Sequence, residues 1–249
     1  MRDWRKFFGL RTPSLSVGAA LSNGAPDVGA GLFDVRIVNG AKAWTTLQEL
    51  RKQPGAVPVV LGDRGDYDNI TTMMGMGDVP FEDYLRSGAA LDIDQWLANR
   101  VEEEPEYYTA DGPESAVGNA QQPGLLTVVY DVQSGKPKAE VFIGLVPVQE
   151  PWQVPAYLKI GGWNECPEAE VHVAFFKRWY EQFGAVVTSI SADVIEFTVE
   201  RPPQTMEEAR RLAREQFIYC ADIVHQGVQT ESNLAHALLG SGNWFFWWD

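Results

Sequence analysis

The chain has 249 residues, and at 45% hydrophobic it holds enough apolar material for one large core or two small ones, which excludes disorder of the whole. A formal net charge of -14, from 34 Asp and Glu against 20 Lys and Arg, repels phosphate backbones at long range, so a basic protein partner is expected and direct nucleic-acid binding is not. Two cysteines, Cys166 and Cys220, make no disulfide framework, and no apolar run is long enough to cross a bilayer; the expectation is a cytoplasmic protein with no membrane span.

Residues 1–31 read as a loosely structured segment rich in Gly, Ala and Ser. Trp4, Phe7 and Phe8 lie there among Arg2, Arg5, Lys6 and Arg11; the segment lacks the apolar stretch of a secretory signal and reads as a mobile or self-docked terminus, the alternative being a short interfacial anchor. Residues 32–101 read as an N-terminal α/β subdomain: the strand "DVRIVNG", the helix "AKAWTTLQELRKQPG" and the strand "AVPVVLGD" suggest a parallel pair joined by a crossover helix. Short helices are expected at "YDNITTMMG", "PFEDYLRSG" and "DIDQWLANRV". Residues 102–124 are acidic and rich in Pro and Gly, and read as a long loop.

Residues 125–249 read as a C-terminal α+β domain. It opens with a hairpin across "LLTVVYDV" and "AEVFIGLVPV", and "VPAYLKIGG" is expected to form another strand. Pro167 and Gly184 bracket a helix whose apolar stripe includes Val171, Phe175 and Trp179. In the hairpin that follows, Ile195, Phe197 and Val199 face one way and Glu196, Thr198 and Glu200 the other. Thr205 and Glu208 form a capping box on a long helix expected to end at Gly227, and Thr230 caps a shorter one. The chain closes on "NWFFWWD", aromatic at both faces of a period-two pattern, which requires burial on both sides and predicts an inner strand. The fold class is therefore α+β: a mixed sheet with helices packed mainly on one face and the aromatic tail buried in the sheet.

Five ordered segments, "VPAYLKIGGWNECP", "HVAFFKRWYEQFGA", "DVIEFTVERPP", "EEARRLAREQFIYCADIVHQG" and "WFFWWD", resemble the bacterial family catalogued as domain of unknown function 4253, over about residues 154–249. The resemblance implies membership and no activity.

Chemistry has few candidates. Cys166, in the turn "GGWNECP", would sit at or beside a helix N-cap, where the positive end of the dipole lowers a thiol pKa; the alternative is a structural turn. Asp193 in a hairpin turn and Asp222 at a helix end are candidate carboxylates for acid and base work, or turn and cap residues. Cys166, Cys220 and His225 are the metal-ligand candidates, but their spacing matches no compact zinc motif, and no cofactor is indicated. Asp63, Asp66, Asp68 and Asp78 fail the EF-hand spacing. Trp163, Asn164, Tyr219, Asp222, Gln226 and Asp249 are the candidates for binding a partner or ligand. The expected function is a non-enzymatic interaction module for a basic partner, as in a toxin-immunity pair; the alternative is a small-molecule or metal-dependent enzyme around Trp163, Asn164, Cys166, Cys220 and Asp222.

Overall fold

The computed structural model describes residues 32–76, 78–109 and 126–249. The expected terminal cluster around Trp4 and most of the acidic loop lie outside the described residues. Six strands form one mixed sheet in the order β1-β3-β2-β4-β5-β6, where β1 is Asp34–Val38, β2 Val57–Gly62, β3 Val141–Val146, β4 Ala185–Ile190, β5 Val194–Val199 and β6 Asn243–Trp247. The expected parallel pairing of β1 with β2 does not occur. Both pair antiparallel with β3, which lies between them, so they run in the same direction without touching. The parallel ladder is instead β2 with β4, through Val60 and Ser189. Because β3 is inserted between the two N-terminal strands, both halves of the chain share one sheet.

Helices lie mainly on one face. Helix α1 (Gly40–Leu50), capped by the Asn39 side chain, packs on β2 and β3 on one side, together with residues 127–129. On the other side lie α2 (Arg64–Gly75), α5 (Val154–Leu158), α6 (Ala169–Phe183) and α7 (Met206–Tyr219); α3 (Phe81–Ala90) and α4 (Ile93–Glu103) pack outside them against α6 and α7. Tyr67 of α2 stacks on Phe142 at 4.8 Å, and Phe176 of α6 meets Phe197 edge-on at 4.6 Å, which places Phe142 and Phe197 on this more heavily covered face.

Two segments differ from the expectation. "VPAYL" is the helix α5 and not a strand: Pro155 stands in its first turn, where a missing N–H costs nothing, and Lys159 ends it at a left-handed φ of 50°. Residues 127–129 form a 3-10 turn, leaving only the bridge of Tyr130 to Pro137 from the expected hairpin. The long helix also stops early. α7 starts at the Thr205–Glu208 capping box but ends at Tyr219, and residues 223–228 form a π-helical turn before α8 (Glu231–Leu238).

The aromatic tail is buried on both faces as its pattern demands. Trp244 and Phe246 point to the α6 and α7 side, with Phe246 stacked on Trp179 at 5.2 Å, and Phe245 shares the opposite face with its cross-strand partner Glu196. β6 is the last of the six strands in the order, not an inner one. Burial of its aromatic side chains comes from the layers above and below the sheet rather than from a central position.

Candidate functional site

The turn 161–167 joins α5 to α6 and brings three of the singled-out residue types together. Gly161 has a φ of 107°, and a Cβ there would lie 1.8 Å from the Pro167 carbonyl oxygen, so only glycine lets the chain fold back this tightly. Asn164 takes the left-handed conformation that asparagine tolerates. The turn closes through Cys166 N–H donating to the Trp163 carbonyl at 2.9 Å.

Beneath the turn sits a polar chain inside apolar packing. Cys166 Sγ lies 3.5 Å from His172 Nε2, and His172 Nδ1 lies 2.5 Å from the Tyr219 hydroxyl. Donor and acceptor roles along this chain follow the tautomer of the imidazole. Burial dominates the ionisation of all three. It raises the Cys166 thiol and the Tyr219 phenol well above their ordinary ranges and pulls His172 down to about 3. A thiolate–imidazolium pair is therefore disfavoured in this closed arrangement, and Cys166 is not the activated nucleophile that a helix N-cap would create. It stands two residues before the N-cap, Glu168, not at it.

Cys220 is buried too, donating to the Trp247 carbonyl at 3.1 Å, and both cysteines are free thiols. His225 faces elsewhere: its Nε2–H donates to the Tyr107 carbonyl at 2.8 Å. The metal candidates Cys166, Cys220 and His225 are thus not gathered around one point, and no group of three His, Cys, Asp or Glu side chains poised for a metal occurs among the described residues. The geometry makes a direct prediction. Ellman's reagent should find neither thiol in the native protein over minutes and both in guanidinium; rapid native labelling of Cys166 would show that the turn opens.

Partner candidates separate into two groups. Tyr219 is 0% exposed, its ring held among Phe175, Trp179 and Phe246, so it cannot contact a partner directly; the expectation that it would is corrected. Asp193 serves its turn, accepting from the Ser191 hydroxyl at 3.1 Å while its carbonyl accepts from Trp248 N–H. The remaining residues do converge. Asp222 accepts from Gln226 at 3.0 Å and from Asp249 N–H at 2.9 Å, and Asn164 donates to the Asp249 main-chain oxygen at 3.1 Å. Trp163 is half-buried beside them in the turn.

One member of this face was not singled out from sequence. Tyr107, whose ring lies 4.8 Å from that of His225, has its hydroxyl pushed up to about 12, first by burial and then by the negative charges of Asp222 and Glu165. Glu102, Glu103, Glu104 and Glu106 are exposed and lead into it along the chain. Arg100 pairs with Glu165 at 2.9 Å, whereas Asp222 and Asp249 form no ion pair with any described residue. An acidic run followed by two tyrosines was the available signal, but it lay inside what read as a loop.

Residues 142–249, from β3 to the last residue, match the model of a family described as Domain of unknown function (DUF4253). No curated protein and no solved structure matches the chain. No helix among the described residues is long and apolar enough to cross a membrane.

Proposed function

We propose that the chain, with DUF4253 as its C-terminal part, is a non-enzymatic interaction module that binds a basic protein partner through the face formed by Asp222, Asp249, Asn164, Gln226 and Tyr107. The observation that carries this reading is the Asp222 carboxylate, held by the Gln226 amide and the Asp249 main-chain N–H with no cation paired to it among the described residues, beside a Tyr107 hydroxyl raised by burial and then by the charges of Asp222 and Glu165. A lysine or arginine from a partner would supply the missing positive charge, and Tyr107 and Trp163 offer aromatic surface around it. The net charge of -14 steers such a partner from a distance. A toxin-immunity pair is one arrangement of this kind. The sealed, neutral state of Cys166 and His172 weighs against the enzyme alternative.

Affinity capture from the native host tests the proposal with wild type and an Asp222→Asn, Asp249→Asn double variant. Wild type should retain a basic protein, and the double variant should hold it at least about tenfold more weakly, with the difference shrinking in high salt. Both side chains are at least partly exposed, so thermal stability should change by no more than about 1 kcal/mol. Retention unaffected by the double substitution, or no retained protein, would overturn the proposal.

A further inference from the structure

A second site lies away from that face, where the end of α1 meets the polar side of β4 and β5. A cleft of about 440 Å³ opens there, walled by Val57, Pro58, Pro151, Val186 and Val199, with Arg51 among its lining residues. That volume is in the range of small-molecule pockets. Arg51 is held in place by the sheet. Its Nη1 donates to Thr198 Oγ1 at 3.2 Å and its Nη2 to Thr188 Oγ1 at 3.0 Å. Thr188 sits at the irregularity between Val187 and Ser189, which turns its hydroxyl toward this point. It also accepts from Thr198 N–H at 3.0 Å, so the two threonines form a fixed shelf.

Among the described residues, Arg51 has no carboxylate partner. In a chain with 34 acidic residues, its bonds go to two hydroxyls and, at 3.5 Å, to the Val187 carbonyl. The C-terminus of α1, where Arg51 is the C-cap, contributes only the partial negative charge of its carbonyls. Burial without an opposing anion lowers the guanidinium's pKa, and a cation in such a place usually has a counter-charge. Two of its five N–H groups are used by the threonines and a third reaches the Val187 carbonyl, leaving two for a ligand.

We propose that this cleft binds a small organic monocarboxylate, an acid with an apolar body, whose carboxylate pairs with Arg51 while its body lies against Val57, Pro58, Val186 and Val199. The charge balance selects this class. Arg51 is the one cation among the described lining residues, and Glu200 also lines the cleft, ion-paired with Arg201 at 3.3 Å, so a phosphate dianion would meet one unpaired positive charge and a carboxylate. A monoanion needs no second cation, and its oxygens can accept from the guanidinium N–H groups that remain.

Calorimetric or NMR titration of the full chain with butyrate, isovalerate, phenylacetate and inorganic phosphate tests this. One or more carboxylates should bind saturably. Arg51→Gln should weaken binding roughly tenfold or more, and Arg51→Lys should restore it only in part because an ammonium cannot hold both threonines and a ligand in the same geometry. Ala56→Trp is expected to fill the cleft while keeping the Arg51 side chain, and should abolish binding; a melting temperature near that of wild type keeps the test decisive if Arg51→Gln misfolds. Absence of saturable binding by any carboxylate overturns the site. Tighter binding of phosphate overturns the ligand class, and carboxylate binding unchanged by both Arg51→Gln and Ala56→Trp places it elsewhere.

Discussion

Trp179→Ala is expected to reduce the unfolding free energy by about 4 kcal/mol, within the range for deleting a buried Trp or Phe side chain. Trp179 is 0% exposed and is the ring on which the sheet and both long helices meet. It contacts Phe175 and Phe176 on its own helix, Tyr219 of α7, Phe197 of β5, and Trp244 and Phe246 of β6. Its removal leaves a cavity that the surrounding rings cannot close, because each is fixed by neighbours on a different element. Its Nε1–H also donates to Glu215, which remains paired with Arg178 at 2.9 Å after the change. Trp179→Phe, which keeps a ring and loses that donor, should therefore cost less than half as much. Trp44→Ala, at a site 41% exposed, should cost under about 1 kcal/mol. Urea unfolding of the three variants, read as a shift of midpoint at constant slope, checks the ranking. A loss under about 2 kcal/mol at Trp179 would mean that the aromatic layer is not packed as a unit.

That layer was largely legible in the sequence, because its signals are local. The Pro167 to Gly184 bracket, the stripe of Val171, Phe175 and Trp179, and the Thr205–Glu208 capping box each need only a few neighbouring residues to be read, and each is present at the expected place within two residues. What could not be read was the meeting of distant segments. No periodicity in Val141–Val146 says that this strand inserts between β1 and β2. "VPAYL" has the composition of a strand, and only its flanking turns make it a helix. Arg51 gave no signal because its partners, Thr188 and Thr198, lie 137 and 147 residues away. The face at Asp222 was half legible. Asn164, Asp222, Gln226 and Asp249 sit at turns and element ends where polar side chains are free to converge, but Tyr107 joins them from a segment with no pattern at all.

Glu196 is the largest departure from its sequence pattern and carries the second strong prediction. Alternation in β5 put it on the polar side, opposite Ile195 and Phe197, yet it is 1% exposed, because residues 127–129 cover that side of the sheet. One carboxyl oxygen accepts from Thr127 N–H at 2.8 Å and from its hydroxyl at 2.9 Å; the other meets the Ser189 hydroxyl. Burial outweighs these bonds and raises the group from its ordinary 4.5 to about 7. The folded state thus holds a proton that the unfolded state has released. The stability from this group is whole below about pH 4.5 and is lost as pH rises through 7, by on the order of 3 kcal/mol. His172 acts in the opposite sense. Its depressed value of about 3 means that the unfolded chain takes up a proton first, so its contribution is present above pH 6.5 and is lost as pH falls toward 3. Between pH 4.5 and 6.5 the two slopes cancel, which hides both in the wild type. Glu196→Gln separates them: the amide oxygen can accept from Thr127 and the NH₂ can donate to Ser189, as the protonated acid does. The variant should match wild type near pH 4 and exceed it by about 2–3 kcal/mol at pH 8, with the difference opening between 4.5 and 7. Chemical denaturation at a series of pH values measures this directly. A difference constant with pH would show that Glu196 ionises normally, and that residues 127–129 do not seal it from water.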